Sequence, residues 1–302
     1  YVNLNISKTE TKSNGEITEN YIYPVDYPSA SNPNYPFIND MRIANIINKP
    51  IEQYTVVNNK VTQGILNTYK TGADLGLNDV TYRLETSTPL ALSSNFMPSN
   101  YYGGFSINSY YKPEIIYDKY NKGNLVQYHK ANDINVSYIW GYNNTYPIAE
   151  VKNAKYTDVF YTSFEESPML GVVDVNSKTG RRIHTTIFGK TVSGLTNGTY
   201  RLEYWRRSGS TWTLQSSTVS VTNGQYTINI ASTTTNPIDE VRFYPTNAMM
   251  TTYTYDPLIG MTSATDENGK TTYYEYDSFG RLQYIRNQDR EIIQEYKYHY
   301  KE

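Results

Sequence analysis

The dipeptide Tyr-Asp stands at Tyr255-Asp256 and returns 21 residues later at Tyr276-Asp277. A short fixed period is typical of arrays whose units cannot bury their apolar faces alone and therefore stack. Between the two copies lie turn-forming residues at 266–269 and a run of strand formers at 271–276. Asn-Gly flanked by alternating residues, here Asn268-Gly269, is the strongest short-range signal for a hairpin with a type I′ turn. Each unit is therefore predicted to be one β-hairpin.

The second unit continues after Tyr276-Asp277 with Gly280, Arg281 and Leu282. Its turn falls at 288–290, where the glycine is missing, so a looser turn or a turn of another type is expected. The strand after this turn is predicted to have one buried, largely aromatic face and one solvent-exposed face. The face predicted to be buried consists of Ile292, Gln294, Tyr296, Tyr298 and Tyr300.

A third relative of this unit begins at Tyr117-Asp118. Gly123 and the leucine two residues after it match the glycine and leucine of the Tyr276 unit, and Asn132-Asp133 is the expected turn. The three units are thus not contiguous. A stretch with a different sequence pattern, at about 157–247, separates the third relative from the other two.

The intervening stretch alternates apolar and polar residues over short runs, as at Tyr200, Leu202 and Tyr204. Three pairs of turn residues cut it into short strands: Asn197-Gly198, Ser208-Gly209 and Asn223-Gly224. This spacing predicts an antiparallel β-sandwich, which we expect to be of jelly-roll type. The predicted domains are a repeat region at 1–155, the jelly-roll sandwich at 156–249 and C-terminal repeats at 250–302.

Composition favours an all-β chain. The 302 residues include 33 tyrosines against 8 phenylalanines and 6 methionines, and tyrosine suits half-buried pleated surfaces where its ring packs and its hydroxyl reaches a partner. One short helix is predicted within 38–54, where Met41, Ile43, Ile46 and Ile47 have near-helical spacing before Pro50. A hairpin about Asn58-Asn59 is predicted to follow it.

Composition also bears on function. Cysteine is absent, which excludes disulfides, thiolate zinc sites and cysteine nucleophiles. The net charge of -2 comes without a basic stripe, so no nucleic-acid partner is expected, and no apolar run reaches transmembrane length. The 3 histidines lack the spacing of a metal pair, and neither a nucleophile elbow nor a phosphate loop is found. We therefore expect a chain that is not an enzyme and, since it begins with Tyr1, the C-terminal part of a longer protein.

The pattern Tyr-Asp-x-x-Gly-Arg-Leu, at Tyr276, Asp277, Gly280, Arg281 and Leu282, resembles the YD repeat of the RHS family of large bacterial proteins. The segments "SYIWGYNNTYPIAEVKNA" and "YDPLIGMTSATDENGKTTYYEYDSFGRL" are most similar to RHS-related proteins of the Bacteroidota. The resemblance spans 21–155 and 250–302. It implies RHS-like strands that coil into a large hollow β-shell, in a protein that is secreted or displayed on the cell surface in association with the outer membrane.

For the Bacteroidota, the resemblance further implies export by a type IX secretion system, in some bacteria linked to gliding motility. Components of the outer-membrane secretion translocon are then the expected partners, and polysaccharide is the alternative partner. The expected role is that of a scaffold and adhesion surface. The alternatives are a carbohydrate-binding adhesin module and the shell of a toxin-delivery RHS protein.

Toxin-carrying RHS shells can cut themselves near an Asp-Pro-x-Gly motif, which the segment from Asp256 to Gly260 resembles. This segment has one extra residue, and it opens an ordinary Tyr-Asp unit. Both facts favour a structural turn over a cleavage site.

The inserted stretch resembles carbohydrate-binding modules of jelly-roll form at its opening strand, Phe164-Glu165, and at its closing strand, 238–241. These strands are adjacent in that fold, and the resemblance implies a structural calcium ion there. The carboxylates of Glu165 and Asp239, with backbone carbonyls, are the candidate ligands, because calcium takes several oxygen ligands. The alternative is that both carboxylates are merely solvated at strand ends.

Sugar binding by such modules uses aromatic rings surrounded by polar groups. Tyr204, Trp205 and Trp212 lie on either side of a predicted hairpin and form the candidate carbohydrate-binding platform. The alternative is that these three residues are core residues or cross-strand pairs.

Overall fold

The computed structural model describes residues 7–12, 15–27, 35–166 and 171–299. Their regular secondary structure consists almost entirely of antiparallel strands, which confirms the predicted all-β class. The chain divides into two compact units, Tyr1–Asp133 and Ile134–Glu302. No helix in the described part of the chain is both long enough and apolar enough to cross a membrane.

The first unit contains an antiparallel sheet with the strand order β1-β2-β3-β4-β5-β7-β8, and β6 pairs with β4. Its strands are β1 (Ser7–Lys12), β2 (Gly15–Ile22), β3 (Glu52–Val57), β4 (Lys60–Tyr69), β5 (Asn78–Leu84), β6 (Leu90–Ala91), β7 (Tyr111–Asn121) and β8 (Asn124–Lys130). Short 3-10 helices lie at Pro24–Asp26 and Gly72–Asp74. The first unit is therefore a series of hairpins laid side by side.

The predicted helix is present as α1 (Phe37–Ile43) and ends earlier than Pro50. Phe37 and Met41 are buried in the core of the first unit. After the helix, Asn45 adopts a left-handed conformation with a φ of 57°, which interrupts the helical path before the predicted residues Ile46 and Ile47. The hairpin predicted at Asn58-Asn59 is confirmed, because both residues have positive φ, 50° and 60°, as a type I′ turn requires.

The second unit contains the remaining strands. They are β9 (Asn135–Gly141), β10 (Tyr146–Lys152), β11 (Phe160–Thr162), β12 (Val172–Val173), β13 (Arg182–Ile183), β14 (Phe188–Ser193), β15 (Gly198–Ser208), β16 (Thr211–Val221), β17 (Gln225–Ile230), β18 (Ile238–Pro245), β19 (Met249–Asp256), β20 (Gly260–Thr265), β21 (Thr271–Tyr276), β22 (Leu282–Arg286) and β23 (Ile292–Glu295). A 3-10 helix lies at Tyr156–Asp158. The array follows the order β9-β10-β19-β20-β21-β22-β23.

Strands β10 and β19 pair directly, with Lys152 opposite Met249. The chain therefore leaves the array after β10, forms strands β11 to β18, and returns beside the strand it left. The hairpin predicted for the first Tyr-Asp unit is confirmed as β20 and β21.

The inserted strands form sheets of their own. Four strands lie in the order β11-β18-β15-β16, while β14 pairs with β17 and β12 with β13. A buried cluster joins side chains of β14 and β17, such as Phe188 and Ile228, to side chains of β15 and β18, such as Leu202 and Phe243. Two layers thus enclose one core. The jelly-roll form and the domain boundaries at 155 and 249 stay predictions.

The turn predicted at Asn197-Gly198 lies slightly earlier, because Gly198 is already the first residue of β15 and Gly194 carries the left-handed φ of 79°. The turns predicted at Ser208-Gly209 and Asn223-Gly224 are found, and Gly209 and Gly224 have φ values of 60° and 66°.

The turn between β20 and β21 differs from the predicted type I′ turn. Gly269 has a φ of 77°, but Asn268 is not among the described residues with positive φ, and type I′ needs both. Instead, the Asp266 carboxylate accepts backbone N–H bonds from Asn268 at 2.9 Å and Lys270 at 2.8 Å. This is a three-residue loop that ends in one left-handed residue.

The turn without a glycine uses the same hydrogen bonds, so the prediction that it is looser or of another type is wrong. The Asn287 side chain accepts backbone N–H bonds from Asp289 and Glu291, both at 3.0 Å. Arg290 takes the left-handed position with a φ of 66°. That conformation costs a residue with a Cβ atom about 1–2 kcal/mol, and the two side-chain bonds offset part of this cost.

The last strand does not have the predicted buried face. All four residues of β23 are exposed, including Ile292 and Ile293, because β23 is the last strand in the sheet order of the described chain. Tyr300, which belongs to the predicted face, lies outside the described residues.

Candidate functional site

The aspartate of the Tyr276-Asp277 motif builds the turn that follows it. The Asp277 carboxylate accepts backbone N–H bonds from Phe279 at 2.9 Å and Arg281 at 3.0 Å. The guanidinium of Arg281 also donates to it, at 2.8 Å from Nε and 2.6 Å from Nη2, and this hydrogen bonding lowers the pKa of Asp277. Gly280 has a φ of 73°, and Leu282 opens β22. The motif therefore encodes a turn.

The tyrosine of the motif joins neighbouring strands. The Tyr276 hydroxyl donates to the backbone carbonyl of Met261 at 2.9 Å. Four other tyrosines at or near strand ends donate in the same way to a carbonyl near the start of the adjacent strand: Tyr255 to Pro147, Tyr298 to Leu282, Tyr120 to Asn78, and Tyr69 to Pro50. Phenylalanine lacks the hydroxyl for this bond, which accounts for part of the excess of tyrosine.

The other motif residues have different surroundings. Asp118 lies inside β7, where it contacts His129 Nδ1 at 2.9 Å, and Tyr117 stacks on Tyr120. Gly123 is in the turn after β7, with a φ of 83°. Asp256, at the end of β19, forms an ion pair with Arg181 of the insert.

A second group of predicted residues meets around residues 174–180, which we call the 174–180 loop. Arg207 of β15 holds Asp174 with two bonds, at 2.8 and 3.1 Å. The indole N–H of Trp212 donates to the Asn176 carbonyl at 2.9 Å, and Arg207 lies over the Trp212 ring. The two strands β15 and β16 thus fix one end of this loop.

Lys178, at the middle of the loop, lies between two aromatic rings. Its Nζ is 3.9 Å from the centre of the Trp205 ring and 5.8 Å from that of Tyr273. Burial lowers the pKa of Lys178, and Arg290 nearby acts in the same direction, while Glu240 opposes the shift. The lysine therefore occupies the Trp205 face that a sugar ring would otherwise contact.

The three residues of the predicted sugar platform do not share one surface. Tyr204 packs against the core between the two layers of the insert. Trp205 follows it in β15 and points to the opposite face of the sheet. Trp212 points to the same face as its cross-strand partner Arg207. The structure thus brings Trp205 and Trp212 to the 174–180 loop, and carbohydrate binding by the three residues stays a prediction.

The two predicted calcium ligands lie on the other side of this loop. The Glu165 carboxylate accepts backbone N–H bonds from Arg181 at 2.8 Å and Arg182 at 2.6 Å. Asp239 accepts them from Thr179 at 3.0 Å and Glu240 at 2.7 Å. Burial raises the pKa of both carboxyl groups, and the charges of Glu240 and Glu165 further raise the pKa of Asp239.

These surroundings fit a hard cation with oxygen ligands. The buried carboxylate of Asp239 is close enough to the half-buried carboxylate of Glu165 to be repelled by it, and the hydroxyl of Thr179 is buried without a hydrogen-bond partner. A bound calcium ion would be held by Glu165 and Asp239, and backbone carbonyls would have to supply the remaining ligands. Within the described residues, no three His, Cys, Asp or Glu side chains form a metal-binding group. Calcium binding stays a prediction.

Strand β18 of the insert carries a buried ion pair that the sequence pattern does not reveal, and the arginine of this pair also bonds to the array. Arg242 of β18 lies 3.3 Å from Glu240, and both side chains are almost fully buried. The same guanidinium donates to Thr252 Oγ1 at 2.6 Å and to the Asp266 carbonyl at 3.1 Å. These partners belong to β19 and to the turn after β20. We call this group, completed by Tyr161, the Arg242 clamp, since the Tyr161 hydroxyl donates to Glu240 at 2.9 Å.

A further set of contacts joins the 174–180 loop to the last strands. The Tyr273 hydroxyl donates to the Lys178 carbonyl at 2.9 Å, and Arg290 lies 3.4 Å from the centre of the Tyr273 ring. The sequence signal for these contacts is weak. One sequence feature hints that the insert contacts the array: the buried strand β18, which carries the Arg242 clamp, has three charged residues among apolar ones.

Comparisons with known proteins add little to this picture. No protein-family model matches the chain, and no curated protein matches it. Solved structures similar to it include a TcdB2-TccC3-Cdc42 complex, at 11% identity and a TM-score of 0.20 over 97% of this chain and 14% of that chain. TcdB2-TccC3 without its hypervariable C-terminal region is 13% identical, with a TM-score of 0.21, over 92% of this chain and 14% of that one.

A Tc holotoxin pore of Photorhabdus luminescens is 11% identical, with a TM-score of 0.20, over 97% of this chain and 14% of that chain. The chain thus spans about one seventh of the length of these structures. At these TM-scores the likeness carries no argument about the fold or the function.

Proposed function

We propose that this chain is a non-catalytic part of a large exported or cell-surface YD-repeat protein of RHS type. The hairpin array is the scaffold, and the inserted sandwich is a surface for adhesion. The protein is secreted or associated with the outer membrane. We further propose that it is cargo of a type IX secretion system of the Bacteroidota, linked to gliding motility, and that its partners are components of the outer-membrane translocon.

The Arg242 clamp is the observation that carries the scaffold proposal. A module that is joined to an array only by flexible segments needs no buried charges where it meets the array. Here Arg242 reaches from β18 of the insert to Thr252 and Asp266 of the array, and removing one partner of such a buried pair leaves an uncompensated charge. A force applied to the insert would therefore be passed to the sheet rather than to a flexible linker.

The repeated strand-end bonds support the same role. The Tyr255 and Tyr276 hydroxyls each reach the carbonyl near the start of the adjacent strand. Asp277 closes its own turn with backbone and guanidinium bonds. The Tyr276-Asp277 motif thus fixes a strand end through its tyrosine and the following turn through its aspartate, which suits an array built for mechanical support.

Affinity purification of the tagged intact protein from its own cells, followed by mass spectrometry, tests this proposal. We expect outer-membrane export components to be enriched relative to the same protein truncated after residue 249. The export proposal fails if the truncated protein recovers the same components and reaches the cell surface equally well.

Two alternatives predict other outcomes. If the insert is a working carbohydrate-binding module, polysaccharide is recovered with the protein, and Trp205→Ala or Trp212→Ala abolishes glycan binding. If the parent is the shell of a toxin-delivery RHS protein, its full-length sequence contains a polymorphic toxic segment. The full-length sequence and the two tryptophan variants therefore separate the three functions.

A further inference from the structure

An uncharged segment lies far from the insert, in the first unit. Residues 86–111 contain no Asp, Glu, Lys, Arg or His, although 19% of the chain is charged. This segment also holds three of the five exposed tyrosines of the described chain. The five are Tyr101, Tyr102, Tyr110, Tyr156 and Tyr298. In a chain whose tyrosines mostly pack, exposed rings in an uncharged segment are a feature that folding alone does not require.

Two of these rings form an exposed pair. Tyr101 is 49% and Tyr102 71% exposed, and their ring centres lie 5.2 Å apart in an edge-to-face arrangement. Gly103 and Gly104 follow, and a Cβ atom added at either would meet nothing within 4 Å. The backbone next to the rings is therefore uncovered, while the Tyr102 hydroxyl donates to Met97 Sδ at 2.6 Å.

The segment that holds these rings is fastened to the core at both ends. On one side, the backbone N–H of Ser99 donates to the buried carboxylate of Glu52 at 2.6 Å, and the Ser99 hydroxyl bonds to Tyr27 at 2.6 Å. On the other side, Phe105 is buried against Phe37, at 5.5 Å between ring centres. We call residues 98–105 the tyrosine loop. Its ends are anchored while its rings face solvent.

We propose that the tyrosine loop is a binding site for a neutral saccharide, with one of the two perpendicular rings of Tyr101 and Tyr102 against the apolar face of a sugar ring and the other beside its edge. A sugar presents C–H groups on its face and hydroxyls at its edge. Aromatic rings suit the first, and uncharged polar groups that can donate or accept suit the second. Asn100 within the loop carries such an amide. Residues 86–111 themselves offer no charged side chain with which an anionic glycan or a charged protein surface could pair.

This inference rests on the adhesion part of the proposed function, but it places the sugar on the first unit rather than on the insert. The test is affinity gel electrophoresis of the full 302-residue chain in gels that contain neutral polysaccharide, namely dextran, mannan or glucomannan. A gel that contains alginate is the anionic comparison. The variants are Tyr101→Ala with Tyr102→Ala, the matched exposed control Tyr156→Ala, and Trp212→Ala in the insert. Circular dichroism and the melting temperature show that each variant is folded.

We expect at least one neutral polysaccharide to retard the chain. The double tyrosine variant should bind it about tenfold more weakly or worse, a change of about 1.4 kcal/mol, while Tyr156→Ala and Trp212→Ala bind as the unchanged chain does. Loss of binding in Trp212→Ala alone overturns the inference and moves the sugar to the insert. Retardation by alginate alone, or by no polysaccharide, also overturns it, and the scaffold proposal survives each of these results.

Discussion

Tyr276 lies directly over Gly260, so that its hydroxyl oxygen would be 2.6 Å from a Cβ atom at that position. The same hydroxyl donates to the carbonyl of Met261. The tyrosine that opens one Tyr-Asp repeat thus fills the space left by the glycine of the preceding repeat. In the part of the chain up to Asp133, a Cβ atom at Gly64 of β4 would likewise collide with the Tyr111 hydroxyl of β7. Nothing lies within 4 Å of a Cβ atom at the motif glycines Gly123 and Gly280. The close packing of tyrosine on glycine between neighbouring strands is therefore a feature of Gly260 and Tyr276.

Replacing Gly260 by alanine should lower the free energy of unfolding by about 1–3 kcal/mol, the usual cost of adding a methyl group to a closely packed site. The added Cβ atom would displace the Tyr276 ring and break its bond to Met261. Urea unfolding followed by fluorescence measures the change. Gly280→Ala is the matched control, because Gly280 also has a positive φ but nothing lies within 4 Å of a Cβ atom there. Equal destabilisation by the two variants would contradict a role for the contact between Tyr276 and Gly260.

The hairpins could be predicted from the sequence because their signals are local. Asn58-Asn59 and the 21-residue spacing of Tyr-Asp depend on residues that contact each other along one short segment. The prediction of a looser or different turn at Asn287 is wrong, because glycine is not required there. A side-chain oxygen at the first turn position stabilises the turn by accepting hydrogen bonds from two backbone N–H groups.

Arg242→Met should destabilise the second unit by about 3–5 kcal/mol, because Glu240 would be left buried without its cation. The double variant Arg242→Met with Glu240→Gln should recover part of that loss, since no uncompensated charge remains. Denaturant unfolding of the two single variants and the double variant forms a thermodynamic cycle. Additive losses in this cycle would show that the two side chains do not act as a pair.

The clamp itself could not be predicted, because alternation along β18 does not reveal which face meets a second layer of structure. Asp239 was selected from a resemblance, and the structure places it beside Glu165 and the 174–180 loop. The burial of Lys178 could not be predicted, because a single lysine between small polar residues usually lies in a solvated loop. Contacts between segments about 60 to 100 residues apart, such as Tyr273 with Lys178, depend on the completed fold.

Calcium should raise the melting temperature of the chain if Glu165 and Asp239 bind it, because a ligand that binds only the folded state stabilises that state. Thermal unfolding with calcium and with a chelator measures the effect. Asp239→Asn should abolish the shift, because it removes one of the two carboxylate charges. Glu166→Gln is the matched control, since that carboxylate lies next to Gly141 instead. A shift that survives in Asp239→Asn would place the ion elsewhere.

Glu52 should make the stability of the first unit depend on pH. Burial raises the pKa of its carboxyl above the ordinary value of 4.5, although hydrogen bonds from Ser99 and Tyr111 oppose this. Since the folded state binds this proton more tightly than the unfolded state, the stabilisation is fully present below pH 4.5 and is lost as pH rises through the folded pKa. The facing tyrosines do not titrate in this window, because burial raises the pKa of Tyr54 to about 12 and those of Tyr27 and Tyr111 further.

The Glu52→Gln variant cannot titrate and should therefore lose this part of the pH dependence. Relative to it, the unchanged chain should become less stable as the pH rises from 4.5 to neutrality. Chemical unfolding across that range measures the difference, with the exposed Glu85→Gln as the control for removing one negative charge. If the unchanged chain and Glu52→Gln have parallel pH profiles, Glu52 is not the buried acid that holds the tyrosine loop in place.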